Sequence, residues 1–173
     1  MMRPRIPNRT KILRWAAFGI AMGVLARIID PPYQVRFNPS ESAPRGFYFF
    51  APPRRIRVGD EVFVHLPTAI AAFSAARNYL PLGVPILKRV AAVGGQHVCQ
   101  RAGEILIDGK AVARLRTVDG KGRPLIRWNG CRMLAQNELF LLGTHSPASF
   151  DSRYFGPLNR NAVIARATPL WTW

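Results

Sequence analysis

Acidic residues are scarce in this chain: nine Asp and Glu stand against twenty-five Lys and Arg in 173 residues, a formal net charge of +16. Such a balance implies nucleic acid, an anionic membrane surface or an acidic partner. The basic residues are scattered, however, with no dense basic helix, no zinc-finger spacing and no aromatic RNA-binding signature, so nucleic acid is not an expected partner. Arg54-Arg55-Ile56-Arg57 is the one tight cluster and reads as a solvated loop. Histidine and cysteine are few, three and two, without ligand spacing even at His97-Val98-Cys99, so neither a metal nor a cofactor is expected. No internal repeat or low-complexity tract is present, and a hydrophobic content of 49% with fifteen prolines and fourteen glycines describes one turn-rich globular domain.

Lysine is the scarcest cation, four residues beside twenty-one arginines, and Lys88 lies in the apolar stretch Pro85-Ile86-Leu87-Lys88-Arg89-Val90-Ala91-Ala92-Val93. An arginine holds its proton in a protein, whereas a buried lysine can lose it. If Ile86 to Val93 is a strand, two-residue alternation sets Lys88 on one face with Ile86, Val90 and Ala92, the surroundings of a lysine that acts as a base. Taken alone, the segment equally fits a strand-end lysine reaching for water.

Arg3, Arg5, Arg9, Lys11 and Arg14 precede an apolar run from Trp15 to Ala26, followed by Arg27-Ile28-Ile29-Asp30. A helix over 12–29 would rise about 27 Å, enough for a bilayer core if the terminal arginines snorkel. The run reads as an uncleaved transmembrane anchor in preference to a cleaved signal, because no small-x-small site follows it, or to a buried amphipathic helix, because it lacks a polar face. The positive-inside rule then puts 1–11 in the cytoplasm and, after a linker over 30–37, the rest of the chain outside the inner membrane. In an oxidising compartment Cys99 and Cys131 are an even pair, read either as a disulfide or as two buried thiols.

Strand signals occur at Glu61–Leu66, Ile86–Val93, Glu104–Ile107, Glu138–Leu142 and Ala162–Ala165, with Asp108-Gly109 as a hairpin turn. Thr68–Tyr79, alanine-rich between Pro67 and Pro81, reads as a single inserted helix that packs on the sheet or serves as a flap near substrate or membrane. Two loops carry hydrogen-bonding side chains: Asn38-Pro39-Ser40-Glu41-Ser42-Ala43-Pro44-Arg45-Gly46-Phe47-Tyr48, and Ser149-Phe150-Asp151-Ser152-Arg153-Tyr154-Phe155-Gly156-Pro157. With Lys88 they compose one candidate site.

Lys88-Arg89-Val90 followed by Gly94-Gly95-Gln96-His97-Val98 resembles the lysine box of type I signal peptidases, the serine-lysine superfamily. Ser149-x-Asp-Ser-Arg-Tyr-x-Gly-Pro resembles their last box, and Gly59-Asp60-Glu61-Val62-Phe63-Val64 the strand between. The nucleophile loop departs from Ser-Met-x-Pro-Thr: Ser42-x-Pro44-x-Gly46-x-Tyr48 is similar to the TraF-type peptidases of conjugative transfer, as is Tyr79-Leu80-Pro81-Leu82-Gly83-Val84-Pro85. Thr144-His145-Ser146 after Gly143, and Gly95-Gln96, also differ from the usual boxes.

The resemblance implies a mainly β fold, a signal-peptidase-like twisted antiparallel sheet over 38–173 with one short helix inserted. It further implies Ser42 as nucleophile, Lys88 as general base, Ser40 with the Ser42 N–H as oxyanion hole, and Ser149, Asp151 and Arg153 in support. The implied activity is a periplasmic, membrane-anchored endopeptidase acting on an exported precursor, foremost a conjugative pilin, within the transfer machinery. Leader removal, C-terminal trimming and cyclisation all stay open. A housekeeping signal peptidase is one alternative, and a non-enzymatic basic subunit of the conjugation apparatus is another.

Overall fold

The structure, a computed structural model, describes residues 9–28 and 34–173. Arg3 and Arg5 of the basic start, Ile29-Asp30 and the Pro31-Pro32-Tyr33 exit lie outside the described residues. The chain divides into two units, Met1–Pro32 and Tyr33–Trp173.

In the first unit helix α1 runs over Arg9–Ile28. Among the described residues no helix is long and apolar enough to cross a membrane. The expected anchor over 12–29 reaches Ile29, which lies outside the described residues. The helix starts earlier and takes in Arg9, Lys11 and Arg14 at one end and Arg27 at the other. The uncharged run between them rises only about 18 Å, against a hydrocarbon core of about 30 Å.

The second unit is mainly β, in two antiparallel sheets where one was expected. Strands β1 (Gln34–Asn38), β2 (Gly46–Ala51), β3 (Glu61–Val64), β4 (Ile86–Val93), β9 (Glu138–Leu142), β10 (Leu158–Asn159) and β11 (Val163–Thr172) form a seven-stranded sheet in the order β1-β2-β11-β3-β4-β9-β10. Strands β5 (His97–Arg101), β6 (Glu104–Ile107), β7 (Lys110–Arg114) and β8 (Cys131–Met133) form a four-stranded sheet in the order β7-β6-β5-β8. Asp108 and Gly109 both take positive φ between β6 and β7, as a two-residue hairpin turn demands. Helix α2 covers Thr68–Ala76, ending before the expected Tyr79 because Asn78 adopts a φ of 56°. A four-residue helix α3 (Ser152–Phe155) and a 3-10 turn over Arg160–Ala162 add to the one helix foreseen.

Strand β9 shows why apolar runs without alternation occur in this chain. Leu139 and Leu141 enter a core with Val62, Val64 and Val90, while Phe140 and Leu142 enter a second with Val98, Ile105 and Leu134. Both faces of β9 are therefore covered. A bulge between Val90 and Ala92 in β4 corrects the expected single face of that strand: Ala92 goes to the second core, while Lys88 pairs directly with Val62 of the first. A third core of Ala43, Tyr48, Phe50, Leu87 and Ala167 lies under the serine loop.

Cys99 and Cys131, directly opposed on β5 and β8, form a disulfide with a sequence separation of 32. Closing such a loop stabilises the fold by roughly 3 to 4 kcal/mol in the chain-entropy model. Replacing both cysteines by alanine should lower the denaturation midpoint by a corresponding amount and, by releasing the unfolded chain, leave the slope with denaturant equal or steeper. An unchanged midpoint would show that three-residue β8 is held by packing alone.

Candidate active site

The loop 39–45 joins β1 to β2 and is pinched at its base, where Asn38 pairs with Gly46. Three residues of the Ser-x-Pro-x-Gly-x-Tyr stretch have a local explanation. The Tyr48 hydroxyl donates to Pro44 O at 2.8 Å, fixing the carbonyl after which the chain turns back. Gly46, with φ of 147°, lies so close to Trp171 of β11 that a Cβ there would overlap its carbonyl oxygen. Tyr48 in turn is buried in the third core, so the loop is anchored from below.

At the top of this loop Ser42 Oγ donates to Leu87 O at 3.3 Å and lies 3.0 Å from Ser40 Oγ. Because Leu87 precedes Lys88 in β4, the same strand that receives the Ser42 hydroxyl also presents the lysine. Lys88 is only 3% exposed, and its Nζ donates to Ser149 Oγ at 2.6 Å. Burial lowers its pKa from 10.5 to about 8, against the opposing pull of the Asp151 carboxylate, with Arg153 acting in the same direction as burial. Ser40, Ser42, Lys88 and Ser149 all line one cleft of about 700 Å³.

Ser149 can occupy its seat because residue 143 is glycine: a Cβ there would overlap the Ser149 hydroxyl. The backbone N–H of Gly143 donates to Asp151 Oδ2 at 2.8 Å, and the next residue, Thr144, donates its N–H to Ser42 O at 3.3 Å. Asp151 is fully buried and caps α3, accepting from the Arg153 backbone N–H. Its two oxygens also accept from Arg153 Nε and Nη2, both at 2.8 Å. The guanidinium then reaches Ser149 O at 2.9 Å, Pro147 O at 3.2 Å and Arg114 O at 2.9 Å. The pair thus tethers the segment 147–151, whose Ser149 holds the lysine.

Several residues that shape the cleft escaped the sequence reading. Helix α2 contributes to its lining through Ser74, and Arg77 and Tyr79 follow. Asp119 accepts from the Tyr79 hydroxyl at 2.6 Å and from Arg123 Nε at 2.7 Å, and these bonds, the tyrosine's first, hold its carboxyl well below the usual range. Phe150 stacks on Phe73 at 5.7 Å and on Tyr154 at 5.8 Å, so the residue between Ser149 and Asp151 bears on α2. The inserted helix is therefore a wall of the cleft. Its available signals were the aromatic Phe73 and Tyr79, with no hint of which loop they meet. Of the metal-type side chains, His97 Nδ1 lies 3.6 Å from Cys99 Sγ, but both sulfurs are spent in the disulfide.

A family model described as signal peptidase, peptidase S26, matches residues 9–173. The conjugal transfer protein TraF of Agrobacterium tumefaciens (strain 15955) is 33% identical over 158 residues, covering 86% of this chain and 87% of the relative. That of Agrobacterium fabrum is 35% identical over 152 residues, covering 82% and 83%. A plasmid transfer protein TraF of Escherichia coli is 31% identical over 149 residues, covering 80% and 83%. The crystal structure of a signal peptidase I from Enterococcus faecalis V583 aligns with a TM-score of 0.41 and 19% identity, over 66% of this chain and 98% of that one.

Proposed function

Because the chain belongs to the signal peptidase family, peptidase S26, we propose that it is a serine endopeptidase in which Ser42 is the nucleophile and Lys88 the general base. The observation that carries this reading is the lysine: 3% exposed, lowered to about 8, and opening on the same cleft as Ser42. Serine needs a base to take its proton as it attacks a carbonyl. A lysine at its ordinary value is neutral in about one molecule in a few thousand at pH 7; at about 8 the neutral share is roughly a tenth.

In this mechanism Ser42 Oγ adds to the scissile carbonyl as its proton passes to Lys88 Nζ. The negative oxygen is met by the Ser42 N–H and the Ser40 hydroxyl, and losing one such donor costs about 3 to 4 kcal/mol in the barrier. Collapse breaks the C–N bond, Lys88 returns the proton to the departing amine, and an ester to Ser42 remains. Water or a substrate amine then resolves the ester with Lys88 again as base. Ser149 keeps the lysine in place meanwhile, and the hydrogen bond from Ser42 to Lys88 forms as substrate docks.

The names of the relatives support a place in conjugative transfer, and the substrate of this proposal is an exported pilin precursor. Association with the inner membrane through α1, with the peptidase domain on the periplasmic side, suits the basic residues ahead of the apolar run and the disulfide. Incubating the full chain with the pilin precursor of a conjugation system and weighing the product tests the reading. A shortened product is expected, and a mass one water below the linear product marks cyclisation. A precursor left intact, with the chain folded, would overturn it.

A further inference from the structure

Asn38, 9% exposed at the end of β1, bonds the serine loop at Ser40, Ala43 and Pro44. Its Nδ2 donates to the carbonyl oxygens of Ser40 at 3.2 Å, Pro44 at 3.1 Å and Ala43 at 3.4 Å. Its Oδ1 accepts from the Ser40 backbone N–H at 3.2 Å and from the Ser40 hydroxyl at 2.9 Å. Three carbonyls can only accept, so the end facing them must be the NH2, and the amide has one permitted orientation. The single proton of the Ser40 hydroxyl is thereby committed to Asn38. Ser40 Oγ can then offer Ser42 only a lone pair across their 3.0 Å, and the Ser42 proton goes either there or to Leu87 O.

We propose that Asn38 is a positioning residue for the Ser40–Ser42 pair: its oxygen holds the Ser40 hydroxyl, and its nitrogen fixes the loop that carries the nucleophile. The inference rests on the peptidase reading above. Ser40 is exposed and Ser42 only half-buried, so without a buried anchor their hydroxyls would sample several rotamers. Held on Asn38, the Ser40 proton is one rotation about its C–O bond from the forming oxyanion. The exchange gives up a neutral hydrogen bond for a charge-assisted one that exists only once the tetrahedral intermediate forms. Asn38 therefore acts on the transition state through Ser40, without touching substrate.

Asn38→Ala should lower kcat on the pilin precursor by on the order of 10²-fold while KM moves less than about threefold, the mark of lost alignment. Made on a Ser40→Ala background, the same change should lower kcat by less than about tenfold further, because the hydroxyl it held is gone. Equal factors in both backgrounds, or an unchanged kcat with a raised KM, would overturn the proposal. If Asn38→Ala shows no cooperative melt, Asn38→Asp decides. The protonated acid again offers a donor and an acceptor, so its kcat relative to the unaltered chain should rise as pH falls through the carboxyl range. A ratio independent of pH would overturn the inference. An unaltered chain without turnover sinks the peptidase reading itself; an active one beside an undiminished Asn38→Ala sinks this inference alone.

Discussion

Lys88→Met should give a folded protein whose turnover has fallen by on the order of 10⁴-fold or more, and Ser42→Ala should do the same, since members of a nucleophile–base unit fail together. The lysine substitution is the more telling because stability and activity move apart. In the folded chain the ammonium of Lys88 is disfavoured by burial, with a pKa of about 8 against 10.5. Between those values the unfolded chain holds a proton that the folded chain has released, so stability rises with pH across that window. Below about 8 both states are protonated and the penalty is full, about 3 kcal/mol. Methionine, unbranched and uncharged, relieves it. At pH 7 the variant should therefore melt no lower than the unaltered chain while processing nothing. In the unaltered chain kcat/KM should climb with pH with a midpoint near 8, as the base loses its proton. Turnover retained in Lys88→Met, or a flat profile from about pH 6 to 10 in the unaltered chain, would remove Lys88 from the role of base.

How much of this was legible in the sequence differs by element. Ile86–Val93, Glu104–Ile107 and Glu138–Leu142 were readable to the residue because burial imposes composition on them. Strand β2, Gly-Phe-Tyr-Phe-Phe-Ala, was missed although its burial alternates, because aromatic residues occupy the outward positions too and hide the period. β11 was read as four residues and is ten, since Pro169 and the exposed Leu170 and Trp171 look like a tail until β2 is there to pair with them. At the site, Ser40, Ser42, Lys88 and Ser149 were singled out by the resemblance of their boxes to those of signal peptidases. Asn38, Gly143, Phe150 and Asp119 were not, because their contributions consist of what they touch across the fold. An asparagine before serines reads as a turn former, and a glycine after a strand reads as a strand end; only the folded cleft shows that one accepts from the Ser40 hydroxyl and the other makes room for Ser149. At the N-terminus, charges counted as flanks of the apolar run belong to the helix itself.

Asp151→Ala should cost about 3 to 5 kcal/mol of stability, the largest loss expected from any single substitution around the site, because it leaves a buried guanidinium without its counter-charge. Arg153 is 4% exposed and cannot recover hydration where it stands. Its remaining partners, the carbonyl oxygens of Ser149, Pro147 and Arg114, offer dipoles but no charge. The same change unpairs the Gly143 N–H, beside the residue whose missing side chain admits Ser149. Asp151→Asn keeps the shape but turns an amide toward a donor, so it should lose less stability than alanine and still be measurably weaker in denaturant. The asparagine variant also carries an electrostatic signature. Asp151 is the strongest influence holding the Lys88 pKa up against burial. Removing its charge should let that value fall, so the rising limb of kcat/KM should move to lower pH even as its plateau drops. A midpoint that stays near 8, or moves upward, would mean that the carboxylate does not reach the lysine. A stability loss under about 1 kcal/mol for Asp151→Ala would mean that Arg153 finds water there. Joint loss of stability and an acid-shifted limb would identify one buried carboxylate as both the tether of the segment 147–151 and the charge that tunes the base.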